Sequence, residues 1–314
     1  MTYVVAVDLG GTKTIVSLLE SSLIQTSRIV KKLRRPTHQE KGKKFVISNI
    51  IKDIDVMLQG INKEKIIGIG IAAPSAVDTK NGSVLFPPNL KGWKNVPLKD
   101  IIQRKFKMPV TLENDSNLAA LGEYTQFRTQ TLFCLMLGTG VGGGLVIDGK
   151  IYNGINSAIE IGHMIIDSNS ATKCSCGNFG CLESFVSGRS IAKKYKELKK
   201  TKREFSAKDV AQLAKKGDKK AKQVLRQASY HLSLGLINII NIFEPEVLVL
   251  SGGISNIKKD LILPAIKLAK KQSLVPYKGK IVHSQFFGDS ILLGADYLMR
   301  HEYFLKPFRK EYKI

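Results

Sequence analysis

The sequence predicts an α/β protein built as two lobes. Three observations carry that expectation. Apolar strand-like segments alternate with helix-like segments along the chain, the signature of α/β architecture. Two segments far apart repeat one plan, an apolar strand, a Gly/Thr turn and a second apolar strand: Tyr3–Leu19 around Gly10-Gly11-Thr12, and Leu132–Ile147 around Gly138-Thr139-Gly140. Such a recurrence points to a duplicated domain plan. The length, 314 residues of which 43% are hydrophobic and 24% charged, is enough for two separate cores.

In order along the chain, the first hairpin is followed by a helix predicted around 40–59. A buried strand follows at Ile66–Ala72, interrupted by Gly68 and Gly70. A loop carrying Pro74, Pro87, Pro88 and Pro97 leads to a helix over about 98–106 and a strand at Pro109–Glu113. The next helix begins near Asp115. After the second hairpin come a cysteine-rich insert and helices predicted around 189–200, 207–216 and 218–243. A buried strand at Val247–Leu250 and helices near 258–272 and 290–304 complete the chain.

Composition excludes several classes. Apolar residues recur throughout, which argues against disorder. Runs such as 132–137 and 247–250 are far short of the roughly 18–20 residues of a membrane span. Met1-Thr2-Tyr3-Val4-Val5 enters a strand directly, with no basic region of a signal peptide; the expectation is a cytoplasmic protein without membrane association. Lys plus Arg number 49 against 26 for Asp plus Glu, a net charge of +23. Much of the excess lies between Ser190 and Arg226 on predicted helix faces and reads as solvated surface. No nucleic-acid recognition motif accompanies it, so no specific nucleic acid is expected as a partner.

The chemistry concentrates in a few places. Asp8-Leu9-Gly10-Gly11-Thr12-Lys13-Thr14 places a carboxylate at a strand end before a turn whose N–H groups and hydroxyls form an anion cradle. Asp8 could hold Mg²⁺ through water. The turn lacks the Walker A pattern. Gly138–Gly144 holds five glycines in seven residues, an entropic cost that close approach of a ligand to the backbone would justify. Ser251-Gly252-Gly253 follows a buried strand and suits an adenosine contact. Two cradles, one per lobe, suit a nucleoside triphosphate. Glu113-Asn114-Asp115 ends a strand at a helix start. Its residues can cap that helix, or Asp115 can accept a proton during phosphoryl transfer to an alcohol, with Asn114 holding a neighbouring hydroxyl. His163 with Cys174, Cys176 and Cys181 forms a Cys₃His set suited to tetrahedral Zn²⁺. Four protein ligands close the metal's shell, so the zinc is expected to be structural. It would pin a loop bearing Glu160, His163 and Glu183, candidate partners of sugar hydroxyls. Cys134, inside an apolar run, reads as a buried strand residue.

These motifs, with Pro88–Trp93, Glu160–Met164, Pro245-Glu246-Val247 and Ser251-Gly252-Gly253, resemble over nearly the whole chain the ROK family of sugar kinases, within the hexokinase–actin superfamily. The resemblance implies two ribonuclease-H-like lobes around a cleft that closes on the substrates, with a small zinc-binding insert. The implied lobes are 1–117, joined by a last helix at about 291–314, and 118–290, with the zinc loop at 160–183. It implies Asp115 as the base activating a sugar 6-hydroxyl, and Asn114, Glu160, His163 and Glu183 lining the sugar site with Asn89 as a further contact. Asp8, Gly10, Gly11, Thr12, Lys13, Gly138, Thr139, Gly140, Gly252 and Gly253 would bind ATP and Mg²⁺. His163, Cys174, Cys176 and Cys181 match the zinc ligands, and His163 can serve metal and sugar through its two ring nitrogens. A homodimer, or a dimer of dimers, is implied.

Two segments depart from the family pattern: Ala73-Pro74-Ser75-Ala76, where Pro-Gly is usual, and Gly154–Glu160, one residue shorter and lacking the glycine before Glu160. Both fall in the implied sugar region. A glucokinase is the reading taken. N-acetylmannosamine, N-acetylglucosamine and fructose stay open as substrates, and polyphosphate stays open as a donor for so basic a chain. The competing class is a sugar-sensing regulator; its relatives carry an N-terminal DNA-reading module, whereas here the first strand is expected at residue 3.

Overall fold

A computed structural model describes residues 1–22, 26–74, 76–87, 90–155, 159–286 and 288–305. The chain divides into two compact units. One comprises Met1–Arg128, Gly144–Ala158 and Asp289–Ile314; the other comprises Thr129–Gly143 and Ile159–Gly288.

In the first unit, β1 (Thr2–Leu9), β2 (Lys13–Ser21) and β3 (Arg28–Pro36) form an antiparallel meander. Helix α1 (Lys43–Leu58) returns the chain to β4 (Ile66–Ala73), parallel to β1. The short pair β5 (Val77–Asp78) and β6 (Ser83–Val84) precedes α2 (Leu98–Phe106). Strand β7 (Val110–Asn114) then adds parallel to β4 and runs straight into α3 (Asp115–Phe127). The sheet order is β3-β2-β1-β4-β7. Val5, Val7, Ile69 and Ile71 are buried with Ile50 and Ile54 of α1 and Leu98 and Ile102 of α2.

The helix α9 (Ser290–Arg300), the last α-helix among the described residues, packs against α3, β4 and β1. Its closeness explains the glycines inside regular elements. A Cβ at Gly70 would lie 2.7 Å from the Ala295 carbonyl oxygen. Cβ atoms at Gly122 of α3 or Gly294 of α9 would collide with the Ser290 and Leu118 carbonyls. The two helices therefore meet backbone to backbone, which only glycine permits. The Ser290 hydroxyl donates to the buried Glu123 carboxylate across the same contact.

In the second sheet β8 (Thr131–Leu137) leads through the 138–140 turn into β9 (Val141–Ile147), which from Gly144 onward belongs, with β10 (Lys150–Ile151), to the first unit. Helices α4 (Glu183–Val186), α5 (Gly188–Lys199), α6 (Ala207–Lys215) and α7 (Lys219–Phe243) follow. Strand β11 (Val247–Ser251) is parallel to β8, α8 spans Leu263–Gln272, and β12 (Lys280–His283) pairs parallel to β11. The order β10-β9-β8-β11-β12 repeats the third-second-first-fourth-fifth plan of the first sheet. Cys134 is buried in β8. No helix among the described residues is long and apolar enough to cross a membrane.

Besides the two-residue strands β5, β6 and β10, the longer strands β3 and β12 escaped the sequence reading. β3 carries Arg28, Lys31, Lys32, Arg34 and Arg35 and is largely exposed; as a charged edge strand it lacks the apolar alternation that marks a half-buried one. β12 is a short, half-buried edge. The boundary expected at 117 falls inside α3, which the first unit retains to Arg128 because α3 packs on α9.

Candidate active site and metal centre

In the first unit, strand register builds the site. β1, β4 and β7 run parallel, so their C-terminal ends share one edge: Asp8 pairs with Ala72, Ala72 with Glu113, and Ala73 with Asn114. This edge is where parallel α/β sheets place ligands. Asp8 is buried there, and its pKa is pushed up to about 7 by burial and then by the charge of Asp115, against the opposing charges of Lys13 and Lys32. The Gly10–Lys13 turn follows directly, closed by Gly10 N–H donating to the Lys13 carbonyl at 3.0 Å. Thr12 and Lys13 are exposed.

Asn114 caps α3, its side-chain oxygen accepting from the N–H groups of Ser116 at 2.9 Å and Asn117 at 3.2 Å. Capping and function are therefore not alternatives: the cap sets Asp115 at the first helical position. The Asp115 carboxylate accepts from Ser116 N–H at 2.7 Å.

Beneath lies a network that sequence reasoning missed. One Glu113 oxygen accepts from Asn114 N–H at 2.8 Å and Asn117 Nδ2 at 3.0 Å; the other accepts from Asn153 Nδ2 at 3.4 Å. Asn117 also donates to Asn153 Oδ1 at 3.1 Å. Burial raises the Glu113 pKa to about 7, with the three donors opposing it. An acid whose folded pKa exceeds its unfolded value stabilises the fold below the unfolded value and loses that contribution as pH rises through the folded one. Glu113, ordinarily at 4.5, should thus cost about 3 kcal/mol across this window, and Asp8 adds a loss of the same sign. Urea midpoints of the native protein are expected to fall from pH 4.5 to pH 7 more steeply than those of Glu113→Gln. Parallel profiles would reject the buried carboxylate as the cause.

In the second unit, Gly138 N–H donates to the Gly140 carbonyl at 3.0 Å, and Gly188 N–H at the start of α5 donates to the Gly138 carbonyl at 2.8 Å. Glu183 joins this turn to the cysteine loop. One carboxylate oxygen accepts from Val141 N–H at 2.9 Å and the other from the Ser175 hydroxyl at 2.6 Å. A Cβ at Gly140 would lie 2.6 Å from the first of these oxygens. Gly252, at φ 86°, brings the third glycine turn against the end of β8, where a Cβ would strike the Leu137 carbonyl.

Gly138, Thr139 and Gly253 line one cavity of about 1360 Å³. Part of the lysine-rich stretch read as solvated surface turns toward it. Arg189, Lys193 and Lys196 of α5 and Lys208 and Lys215 of α6 also line it. Their spacings put each set on one helix face, but only the packing of α5 beside α6 shows that both rows address the same space. Lys199, by contrast, turns away to pair with Asp218 at 2.7 Å.

The metal-ligand candidates converge. One donor atom from each of His163, Cys174, Cys176 and Cys181 lies within 4.8 Å of all the others. Cys176 and Cys181 sulfurs are 3.7 Å apart, and Cys174 Sγ is 3.5 Å from His163 Nδ1. A tetrahedron with Zn–S bonds of about 2.3 Å has edges of about 3.8 Å, so the set fits that ion. Burial, followed by the neighbouring thiols of Cys176 and Cys174, pushes Cys181 up to about 12; a cation among the sulfurs would reverse that. All four cysteines are unbridged. His163 turns Nδ1 to the thiols and Nε2 toward Glu160, 3.9 Å from its Oε2.

Asp8, Gly10–Lys13, Asn114 and Asp115 are thus gathered in the first unit, and Gly138–Gly140, Gly252, Gly253, Glu160, His163, Glu183 and the three cysteines in the second. Asn89, Ser75 and residues 156–158 of the shortened segment lie outside the described residues.

A two-lobed α/β fold with a glycine turn in each sheet, a carboxylate opening a helix and a Cys₃His loop defines the sugar-kinase class of fold. The chain belongs to the ROK family, which it matches over residues 4–302. A glucokinase of Halalkalibacterium halodurans is 34% identical over 278 residues, covering 83% of this chain and 83% of that protein. A xylose repressor of Caldicellulosiruptor bescii is 33% identical over 248 residues, 73% of this chain and 61% of the repressor. The crystal structure of a ROK family glucokinase from Streptomyces griseus in complex with glucose and AMPPNP superposes with a TM-score of 0.80 at 26% identity, covering 95% of this chain and 99% of that one.

Proposed function

We propose that this protein is an ATP-dependent sugar kinase that phosphorylates a hexose, glucose first, at its 6-hydroxyl. The observation that carries the reading is Asp115 at the start of α3, set there by the Asn114 cap at the sheet edge that also holds Asp8. The glucokinase relatives supply the substrate class.

In this reading Asp115 accepts the hydroxyl proton as the sugar oxygen bonds to the γ-phosphorus and ADP leaves. Asn114, Glu160, His163, Glu183 and Asn89 hold sugar hydroxyls. Residues Gly10–Lys13 and Gly138–Gly140 cradle phosphate, and the cavity bordered by Gly253 takes the nucleoside. Asp8 would hold Mg²⁺, whose charge offsets that of the transferring phosphoryl group. Its high pKa suits a carboxylate awaiting a cation. His163, Cys174, Cys176 and Cys181 would hold a structural Zn²⁺ that keeps the Nε2 edge of His163 beside Glu160. A cytoplasmic homodimer or dimer of dimers completes the proposal.

One observation favours a second donor. The cationic rows of α5 and α6 border the cavity of Gly138 and Thr139, and a linear polyanion lying between them would release counterions along its length. The test is a panel crossing glucose, mannose, fructose, N-acetylglucosamine and N-acetylmannosamine with Mg-ATP and polyphosphate. The expected result is glucose 6-phosphate from Mg-ATP. Turnover of one other sugar would reassign the substrate. Sugar binding without turnover in zinc-loaded protein would reject the kinase in favour of a sugar-responsive regulator, the role named for the repressor relative.

A further inference from the structure

A second cavity, of about 400 Å³, lies in the first unit where the end of β3 meets α1. Nothing in the proposed reaction uses it. Its size falls in the range of small-molecule sites, and its lining is built for a small anion. Three cationic side chains, Arg35, Lys41 and Lys52, face a single carboxylate, Asp53. That carboxylate is already taken: Asp53 accepts from Arg35 Nε at 2.9 Å, which fixes the guanidinium and leaves its outer edge for a ligand. Phe45 supplies an aromatic wall, with Lys41 Nζ 4.7 Å from the ring centroid and the His38 ring edge-on at 6.2 Å. The excess of two positive charges matches a phosphate monoester, which carries about −1.5 to −2 at pH 7. His38 holds a left-handed backbone, φ 53° and ψ 46°, an uncommon conformation for a residue other than glycine; its ring meets Glu40 at 3.0 Å.

The wall of this cavity is tied to the glycine turn. Thr37, between the lining residues Pro36 and His38, is buried. Its N–H donates to the Thr12 carbonyl at 3.0 Å and its hydroxyl to the Gly10 carbonyl at 2.6 Å, and the hydroxyl lies 3.0 Å from that of Thr14. A ligand that shifts Pro36 or His38 therefore moves hydrogen bonds of the Gly10–Lys13 turn.

We infer that the cavity between β3 and α1 is a binding site for a small phosphate monoester, and that its occupancy reaches the Gly10–Lys13 turn through Thr37. The second clause rests on that turn being the nucleotide cradle; the first does not.

The test uses inorganic phosphate and glycerol 3-phosphate, neither a product of the proposed reaction, in calorimetric titrations at constant ionic strength. Binding is expected in the native protein and in Lys13→Ala, and at least ten-fold weaker in Lys41→Ala/Lys52→Ala, whose basal turnover should be unchanged. No binding to the native protein, equal binding by the double variant, or loss in Lys13→Ala would overturn the site. Saturating glycerol 3-phosphate should also shift ATP affinity at least three-fold, and Thr37→Val should remove the shift while keeping probe binding. A shift that survives Thr37→Val overturns the coupling. Probe binding in a protein that binds no ATP would retire the kinase reading and leave the site standing.

Discussion

Asp115→Asn should lower turnover by a factor of about 10² to 10⁴, the usual contribution of a positioned general base. That corresponds to about 3 to 5 kcal/mol on the barrier. The fold should survive, for a local reason. The first turn of α3 is capped by Asn114, not by Asp115, and an asparagine oxygen can still accept from Ser116 N–H as the carboxylate does at 2.7 Å. The loss should therefore appear in kcat while KM for the sugar and the melting temperature stay close to native. The pair of measurements is a steady-state assay and a thermal melt. Turnover within three-fold of native would remove Asp115 from the proton-accepting role.

Metal loss should be the second large effect. Freshly purified protein is expected to hold close to one zinc per chain, and Cys176→Ser to hold little. Cys176 is the ligand to change because it is exposed, whereas Cys174 and Cys181 are buried and their replacement would mix packing loss with metal loss. Stripping the metal leaves buried thiols facing one another with Cys181 held near 12. The loop should then loosen, and with it the Ser175 bond to Glu183 and the Glu183 bond to Val141 N–H. We expect a melting temperature lower by about 5–10 °C, a few kcal/mol for a chain of this size, with a raised KM for the sugar. A chelator should reproduce both changes in the native protein. Metal analysis finding no zinc, or an unaltered melt in Cys176→Ser, would dissolve the assigned centre.

Much of the candidate site was legible because its chemistry is local. Cys174, Cys176 and Cys181 lie within eight positions, with Gly177 and Gly180 at positive φ allowing the loop to turn back on itself. Asn114 and Asp115 announce themselves as a strand end followed by a helix start. Other parts had no local signal. Glu113 was visible only as the neighbour of Asn114. Its partner Asn153 comes from beyond β10, and nothing near Asn153 in the sequence singles it out. Glu183 was read as a sugar partner, yet both its oxygens are also engaged by Val141 N–H and Ser175. That double role depends on a loop and a helix start meeting in space.

The sequence by itself determined the alternating α/β plan, its repetition around two glycine turns, the zinc-type ligand set and the family. Each depends on residue types at short spacing, where backbone geometry alone dictates what neighbours what. Only the tertiary structure decided that α9 lies on β4 and α3 with glycines at the contact. It also decided which lysines border the large cavity, and that Arg35, Lys41 and Lys52 surround a smaller one. Those facts depend on which faces of separate elements come together, and that is settled by close packing of the whole core, not by any one segment's own preference.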